Sequence, residues 1–286
     1  MRLDVLIATC DRADELAAAV DDVVNQAGPD DRVYIVDQSE PATHRANRRR
    51  IAAMCDSRIR LIRDQPGGGL PRARNVALLH SDAPLVVFLD DDVRLLPGCI
   101  DGHRLALLRD SVGGVAGRIV EQSVEANSWR TRNDIAPGGR VRTNLTGLRS
   151  MPIGSVKGAN MSFRKAALRS VGDFDEGYEG TAFLEDADIS ERLRRGGWQL
   201  WFEPSAAAVH LSAPRGGVRQ PDALATERWR FHNTGYFVGR HRGAWGAARC
   251  VATFSLIAAK RAALAGSTSV AVDLMSALGR GLRKGA

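Results

Sequence analysis

The chain has 286 residues, of which 44% are hydrophobic, so it is long enough to fold around one sizeable core. Its 40 basic and 33 acidic residues give a net charge of +7, and nearly all of the positive charge is arginine. No apolar stretch approaches the roughly 18 residues of a membrane span, and the start of the chain does not resemble a signal peptide, so we expect a cytoplasmic protein.

Four strands and three helices are predicted in the first ninety residues. The strands cover 3–8, 32–37, 58–64 and 85–90, and the helices cover 12–25, 43–54 and 72–80. Such alternation implies right-handed crossovers and an α/β fold with a mainly parallel sheet flanked by helices. Ligands bind beyond the carboxyl ends of such strands, where Thr9, Asp11, Asp37 and the aspartates at 90–92 fall.

The pattern is less regular in the second half of the chain. Helices are predicted at 97–110, 163–171 and 185–196, and strands at 113–122 and 198–204. The polar, Gly-rich segment 123–150 is predicted to be a long loop, and loops of that length are often lids or binding loops. From about residue 223 onward the chain is predicted to be helical.

Three consecutive aspartates follow the apolar strand in LVVFLDDDV (85–93). Like charges this close are costly in a half-buried place unless a cation compensates them. Mn²⁺ and Mg²⁺ prefer carboxylate ligands and leave positions open for phosphates, so Asp90 and Asp92 are candidate metal ligands. The alternative is a solvated acidic turn.

The segment GGGLPRARN (67–75) can supply the groups that bind an anion. Its glycines allow backbone amides to point at a phosphate, a helix begins just after them, and Arg72 and Arg74 add positive charge. An ordinary turn before a basic helix is the alternative. The sequence lacks both the P-loop pattern and a GxGxxG after the first strand, which argues against a P-loop or dinucleotide site.

A second acidic group lies in FLEDADISERLRR (183–195), at the start of a predicted helix. Acidic residues complement a helix N-terminus, but Glu185 and Asp186 follow an apolar pair and can face a cleft. A carboxylate there can accept a proton from a hydroxyl nucleophile. His210 ends an apolar run and is either a third metal ligand or a structural histidine.

Taken in order, these segments resemble family 2 glycosyltransferases of the GT-A fold. The resemblance is carried by IATCDR (7–12), YIVDQSE (34–40), GGGLPRARN, VVFLDDDV (86–93), KGANMSFRKAAL (157–168) and the segment 183–210. It implies a GT-A domain over 1–215 and a helical region over 216–286. It also implies inverting transfer of a sugar from a nucleotide diphosphate donor to a hydroxyl acceptor, which is a glycan, a lipid-linked glycan or a small molecule.

The resemblance assigns roles to individual residues. The nucleotide contacts it implies are Thr9, Asp11, Arg12, Asp37, Arg74, Asn75 and Asp90. Gly158 and Asn160 lie under the donor sugar, and Asp92, Asp90 and His210 bind Mn²⁺ or Mg²⁺. Asp186 is the catalytic base with Glu185 supporting the acceptor side. Cys10 and Asp11 stand where the family often has an aromatic residue and Asn, and the QxxRW motif of processive synthases is absent, which favours a single addition.

Two further questions stay open at this level. The basic, helical region 216–286 either lies against an anionic membrane at the inner face or packs as a cap on the catalytic domain. The alternatives to a glycosyltransferase are a sugar nucleotidyltransferase and a non-catalytic nucleotide-sugar binding protein. No basic run is interleaved with aromatic residues, so nucleic acid is not an expected partner.

Overall fold

The computed structural model of the protein describes residues 1–120, 131–218 and 222–286. Seven elements in its first part follow the predicted order closely. They are β1 (Leu3–Thr9), α1 (Ala13–Gln26), β2 (Val33–Asp37), α2 (Pro41–Ala53), β3 (Ile59–Arg63), α3 (Leu70–His80) and β4 (Leu85–Asp90). The apolar residues of α1 recur at helical spacing, and Leu16, Val20 and Val23 are buried against the sheet. The predicted α/β fold is therefore confirmed.

The remaining elements complete the sheet and add a helical region. They are β5 (Val93–Leu95), α4 (Cys99–Leu107), β6 (Val112–Val120), β7 (Arg132–Ile135), β8 (Val141–Asn144), β9 (Met151–Pro152), β10 (Asn160–Arg164), α5 (Lys165–Ser170), α6 (Glu185–Arg195), β11 (Gln199–His210), α7 (Ala223–Ala265) and α8 (Thr268–Gly285).

One sheet runs through the α/β part in the order β3-β2-β1-β4-β10-β6-β11-β5, with β9 paired to β11. β1 to β4 are parallel, and β6 and β11 run in the same direction. β10, β5 and β9 are antiparallel to their neighbours. The basic strand β3 lies at one edge of the sheet. The carboxyl ends of β1, β2, β4 and β11 thus meet at one edge of the sheet.

Three predictions for the second half were wrong. The described part of the segment 131–150 is not a plain loop, because β7 and β8 pair as an antiparallel hairpin; residues 121–130 lie outside the described residues. The predicted helix 163–171 is shorter, since Asn160–Arg164 is the strand β10 and the helix covers only Lys165–Ser170. The predicted strand 198–204 continues to His210 across a register shift between Glu203 and Ala207.

Apolar clusters form on both faces of the sheet. One cluster joins the sheet to α1 and α4, and the other joins it to α3, α5 and α6. Three phenylalanines of the second cluster meet edge to face, with Phe174 at 5.1 Å from Phe88 and 6.1 Å from Phe163. This layered packing places the strand ends rigidly.

The C-terminal region consists of three packed helical segments. Gly243 interrupts α7 with φ of 58° and ψ of −170°, a conformation that suits glycine, and the chain turns back there. Residues 244–265 then run back along residues 223–242, so that the rings of Phe254 and Phe231 lie 4.9 Å apart. α8 packs so tightly on α7 that a Cβ on Gly281 would overlap the carbonyl oxygen of His232.

The helical region packs on the start of α6 through a third apolar cluster. Tyr178, Leu184 and Ala187 share this cluster with residues of α7 and α8 such as Phe231 and Leu278. His241 Nε2 of α7 also contacts the buried Asp188 of α6 at 2.7 Å. Within the described ranges, none of the helices is both long enough and apolar enough to cross a bilayer.

Candidate functional site

The middle one of the three aspartates after β4 is bonded within the protein, whereas the outer two face the cavity. Asp90 is half-buried and faces the open edge of the sheet. Asp91 is buried and accepts hydrogen bonds from Thr9 Oγ1 at 2.7 Å and Arg12 Nη1 at 2.7 Å. Burial raises the pKa of Asp91 to about 6 although Arg12 favours its ionised form. Asp91 therefore anchors the turn, whereas its two neighbours remain available to the cavity.

Asp90, Asp92 and His210 converge on one point. One ligand atom from each lies within 4.8 Å of the others. His210 Nε2 lies 3.3 Å from Asp92 Oδ1, yet that buried oxygen receives no hydrogen bond from the described residues. Contact with the Asp92 carboxylate raises the pKa of His210. Two carboxylates and an imidazole suit Mn²⁺ or Mg²⁺, and an orphaned buried oxygen is what a metal ligand leaves when no metal is present.

Strand pairing brings His210 to the aspartates. Antiparallel β11 and β5 pair His210 with Val93, which directly follows Asp92. The backbone N–H of Ala213 also donates to Asp92 Oδ2 at 2.9 Å. Burial opposes the ionisation of Asp92, but contacts with His210 and Arg12 outweigh it and hold the pKa of Asp92 below its usual value. The carboxylate is thus held charged without a metal.

Arg12 compensates the acidic group and fixes one wall of the site. Its guanidinium lies 2.7 Å from Asp91 and 3.1 Å from Asp92. It also donates to the carbonyl oxygens of Arg215 and Gly216. The backbone N–H of Gly217 donates to Cys10 O at 2.7 Å, so the segment 214–218 lies across the end of β1. Arg12 is thus more a structural cation than a free anion-binding one.

The second acidic group lies on a strained approach to α6. Ala182 and Leu184 have φ of 51° and 73°, a left-handed conformation that costs about 1–3 kcal/mol for each non-glycine residue. The half-buried Asp186 lies in the first turn of the helix, and its carboxylate accepts from Gly158 N at 2.9 Å and Ala187 N at 2.8 Å. Such strain persists where the surrounding structure demands it, and here it positions Asp186.

Arg74 connects the two acidic groups. It is buried, pairs with Glu185, donates to Gly158 O at 3.2 Å and lies 3.6 Å from Asp90. Burial raises the pKa of Glu185 to about 7 against the influence of Arg74. Glu185 is therefore enclosed beneath the site, where it holds Arg74 rather than facing an acceptor directly.

A cavity of about 730 Å³ opens at this edge of the sheet. Of the predicted residues, Thr9, Arg12, Asp90, Asp92 and His210 line it, together with Gly67 and Gly69 of the Gly-rich segment. The segment 214–218 and the start of α7 at Asp222, Ala223 and Thr226 close another side. A volume of this size accommodates a nucleotide-sized ligand.

Four predicted residues have their side chains occupied elsewhere. Asp37 is buried and accepts from Ser39 N, His44 and Asn47. Asn75 bonds the backbone of Phe174. Asn160 bonds His103 and Ala206 O. Asp11 accepts from Glu40 N and lies outside the cavity lining. These side chains shape the segments that border the site.

Several residues that line the cavity are not among the predicted site residues. Gln38 follows Asp37 in the YIVDQSE motif and does line the cavity, while its amide donates to Asp64 and Gly69 O. Thr181 and the segment 214–218 were also missed. The Gly216-Gly217 pair after the last strand was the available signal, because both glycines adopt positive φ there.

Comparisons with known proteins agree with this geometry. A sequence model described as glycosyl transferase family 2 matches residues 4–172. N-acetylglucosaminyl-diphospho-decaprenol L-rhamnosyltransferase of Mycobacterium tuberculosis is 34% identical over 96 residues, which are 33% of this chain and 29% of the relative. Pre-mycofactocin glycosyltransferase of the same organism is 30% identical over 167 residues, which are 56% of this chain and 33% of the relative. The matches thus span about a third of each curated relative.

Solved structures share the fold at low identity. The mannosyltransferase PcManGT from Pyrobaculum calidifontis, in complex with GDP-Man and Mn²⁺, has a TM-score of 0.61 at 18% identity, covering 98% of this chain and 87% of that one. GalNAc-T7 with UDP, GalNAc and Mn²⁺ has a TM-score of 0.63 at 13% identity, covering 80% and 48%. These likenesses confirm the predicted GT-A architecture.

Proposed function

The chain belongs to glycosyl transferase family 2, and from this membership we propose that it moves a glycosyl group from a nucleotide diphosphate sugar to a hydroxyl acceptor in single additions with inversion. The observation that carries the proposal is the convergence of Asp90, Asp92 and His210 at the mouth of the cavity. The acceptor class comprises a glycan, a lipid-linked glycan or a small molecule.

Asp90, Asp92 and His210 would hold Mn²⁺ or Mg²⁺. When bound, the cation would offset the negative charge that develops on the departing nucleoside diphosphate. The buried, unbonded Oδ1 of Asp92 supports this assignment. The structural neighbours PcManGT and GalNAc-T7 are complexes with Mn²⁺, which supports the choice of metal.

The Gly-rich segment and β1 would hold the donor nucleotide. Gly67 and Gly69 line the cavity just before α3 begins at Leu70, so backbone amides and a helix N-terminus border the site of an anion. Thr9 at the end of β1 and Arg12 just before α1 line the same cavity. We assign Asp11, Asp37 and Asn75 to shaping this pocket, and Gly158 and Asn160 to the floor under the donor sugar.

Asp186 is the proposed base. The acceptor oxygen attacks the anomeric carbon, the bond from that carbon to the diphosphate oxygen breaks, and the hydroxyl proton passes to Asp186. Two backbone N–H groups fix the Asp186 carboxylate, and Glu185 fixes Arg74 beside it. Attack from the face opposite the leaving group gives inversion.

A thermal-shift panel tests the proposal. Uridine, guanosine and thymidine diphosphates are each added with and without Mn²⁺ to the wild type, Asp92→Asn and the control Asp14→Asn, whose carboxylate is exposed. At least one nucleotide should stabilise the wild type and the control only when Mn²⁺ is present. Asp92→Asn should lose most of that shift and about 100-fold in transfer or donor hydrolysis. Stabilisation that is independent of metal, or retained by Asp92→Asn, would refute the assignment.

A further inference from the structure

The outer face of residues 244–265 is apolar and unusually exposed. The exposed positions fall along one stripe of the helix, at the spacing of successive turns: Trp245, Ala248, Ala252, Leu256, Ala259 and Ala263. Trp245 is 72% exposed and Leu256 is 76% exposed, and Leu264 at the flank is 71% exposed. The opposite face, with Phe254 and Ala258, is buried against the other helices. The helix is thus apolar on both faces although only one is covered by the protein.

The charged residues in this stretch of the sequence are all basic. From Arg228 to Val272 the sequence contains seven arginines and lysines and no aspartate or glutamate, and five of the seven pair with carboxylates from outside the stretch. Lys260 and Arg249 border the stripe, and neither forms an ion pair with any described residue. Arg249 instead lies 5.8 Å from the ring of Trp245. Arg261, in contrast, pairs with Glu227 of the first half of α7 at 3.3 Å.

An apolar stripe flanked by unpaired cations, with a tryptophan at one end, has the chemistry of a helix that lies in a bilayer interface. The apolar residues enter the acyl boundary, the indole lies at headgroup level, and the cations contact anionic headgroups. A second protein chain would cover the apolar stripe as well. The two unpaired cations, Arg249 and Lys260, favour the lipid surface, because two copies of this face would bring like charges together.

One end of the apolar stripe lies close to the candidate site. The ion pair between Arg261 and Glu227 places the Leu264 end of the stripe beside the first turns of α7. Those turns begin at Ala223 and Thr226, which line the cavity. A membrane on this face would therefore lie next to the cavity wall.

We propose that the outer face of residues 244–265 docks the protein on bilayers that contain anionic phospholipids. The helix lies flat on the membrane, with Leu256 and Leu264 inserted and Lys260 and Arg249 at the headgroups. Delivery of a membrane-borne hydroxyl acceptor to the cavity rests on the proposed transferase function, whereas the binding of this face to lipid does not.

Vesicle flotation of the full chain tests the docking. The wild type should float with vesicles of equal phosphatidylcholine and phosphatidylglycerol, bind vesicles of pure phosphatidylcholine more weakly, and lose binding as salt rises. The double variant L256S/L264S should bind the anionic vesicles about tenfold more weakly or worse. The control L79S/L105S removes leucines of similar exposure, 71% and 65%, from other helices and should bind like the wild type.

Other outcomes overturn the proposal. It is wrong if the wild type does not float with anionic vesicles, or if L79S/L105S loses as much binding as L256S/L264S. Self-association of the wild type that L256S/L264S abolishes, without vesicle binding, would assign the face to a second copy instead. The metal-dependent thermal shift by nucleoside diphosphate, measured on the same variants, reports the transferase site separately, so the two proposals can fail independently.

Discussion

The α/β part and the C-terminal helices meet at one cavity but are built from different interactions. At the sheet edge, carboxylates and arginines are buried in specific pairs, such as Arg12 with Asp91 and Arg74 with Glu185. The helices instead approach through glycines, and a Cβ on Gly239 would lie 2.6 Å from Leu282 O. The difference indicates that the sheet edge fixes charged side chains around the cavity, whereas the helical region supplies one wall of the cavity and an outer surface.

The largest effect is expected at the sheet edge itself. Asp186→Asn should lower the transfer rate by about 10²–10⁴-fold, because an amide cannot accept the acceptor proton. The two N–H donors to Asp186 can bond the amide oxygen in part, so the fold should persist. The rate is measured at saturating donor, with the metal-dependent thermal shift by nucleoside diphosphate as the internal control. Full transfer by this variant would show that another group is the base, and it would contradict the catalytic role given to the sheet edge.

A smaller effect is expected in the helices, and it concerns stability. Gly281→Ala would force a methyl group onto the backbone of His232 and should cost about 1–3 kcal/mol of unfolding free energy in urea titrations. Gly279→Ala is the matched control, since the nearest atom to its new Cβ is Arg283 Nη1 at 3.6 Å. That variant should gain about 0.5–1 kcal/mol from helix propensity.

The same pair of variants sharpens the contrast between the two regions. If Gly281→Ala keeps the metal-dependent nucleotide shift, the sheet edge forms its site without tight helix packing. If the shift disappears, the wall from α7 is needed for nucleotide binding and the two regions are interdependent. Equal destabilisation by both substitutions would contradict the role of glycine in this contact.

The third effect is a change in the pH dependence of stability at Glu185. Burial raises its pKa to about 7 from an ordinary value of 4.5, so between these values the folded protein holds a proton that the unfolded chain releases. This contribution to stability is complete below about pH 4.5 and is lost as the pH rises through 7. Because a glutamine side chain cannot ionise, the variant Glu185→Gln should lose less stability between about pH 5 and pH 8 than the wild type.

The difference should be on the order of 3 kcal/mol at most, by the free energy of a pKa shift of this size. Urea unfolding at the two pH values measures it. Glu179→Gln is the control, because Glu179 is exposed and pairs with Lys284 at the surface. The assignment fails if both variants follow the pH dependence of the wild type.

Sequence patterns predicted the strands that are apolar throughout and the polar residues at their ends. The strand LVVFLD, with the aspartates at its carboxyl end, could be predicted because a buried parallel strand is a continuous apolar run. β10 was mistaken for part of a helix, since five residues, NMSFR, show no clear period. β11 was cut short at Pro204, where the strand shifts register and continues.

The partners of individual side chains could not be read from the sequence. Asp37 ends a predicted strand and Asn160 lies in a predicted motif. Their hydrogen-bond partners, Asn47 of α2 and His103 of α4, lie in separate elements. Arg74 was predicted to bind a phosphate, but its buried partner Glu185 is 111 residues away. Such pairings depend on packing between distant elements, which local periodicity does not encode.

The pairing of His210 with Val93 has a consequence for sequence change in this protein. Because side chains alternate along a strand, a single-residue insertion or deletion between Ala207 and His210 would turn the imidazole to the opposite side of the sheet. The register shift between Glu203 and Ala207 could absorb the same change in length and leave His210 in place. A change of one residue in the length of β11 should therefore remove the proposed metal ligand when it falls after Ala207, and should be tolerated when it falls before Ala207.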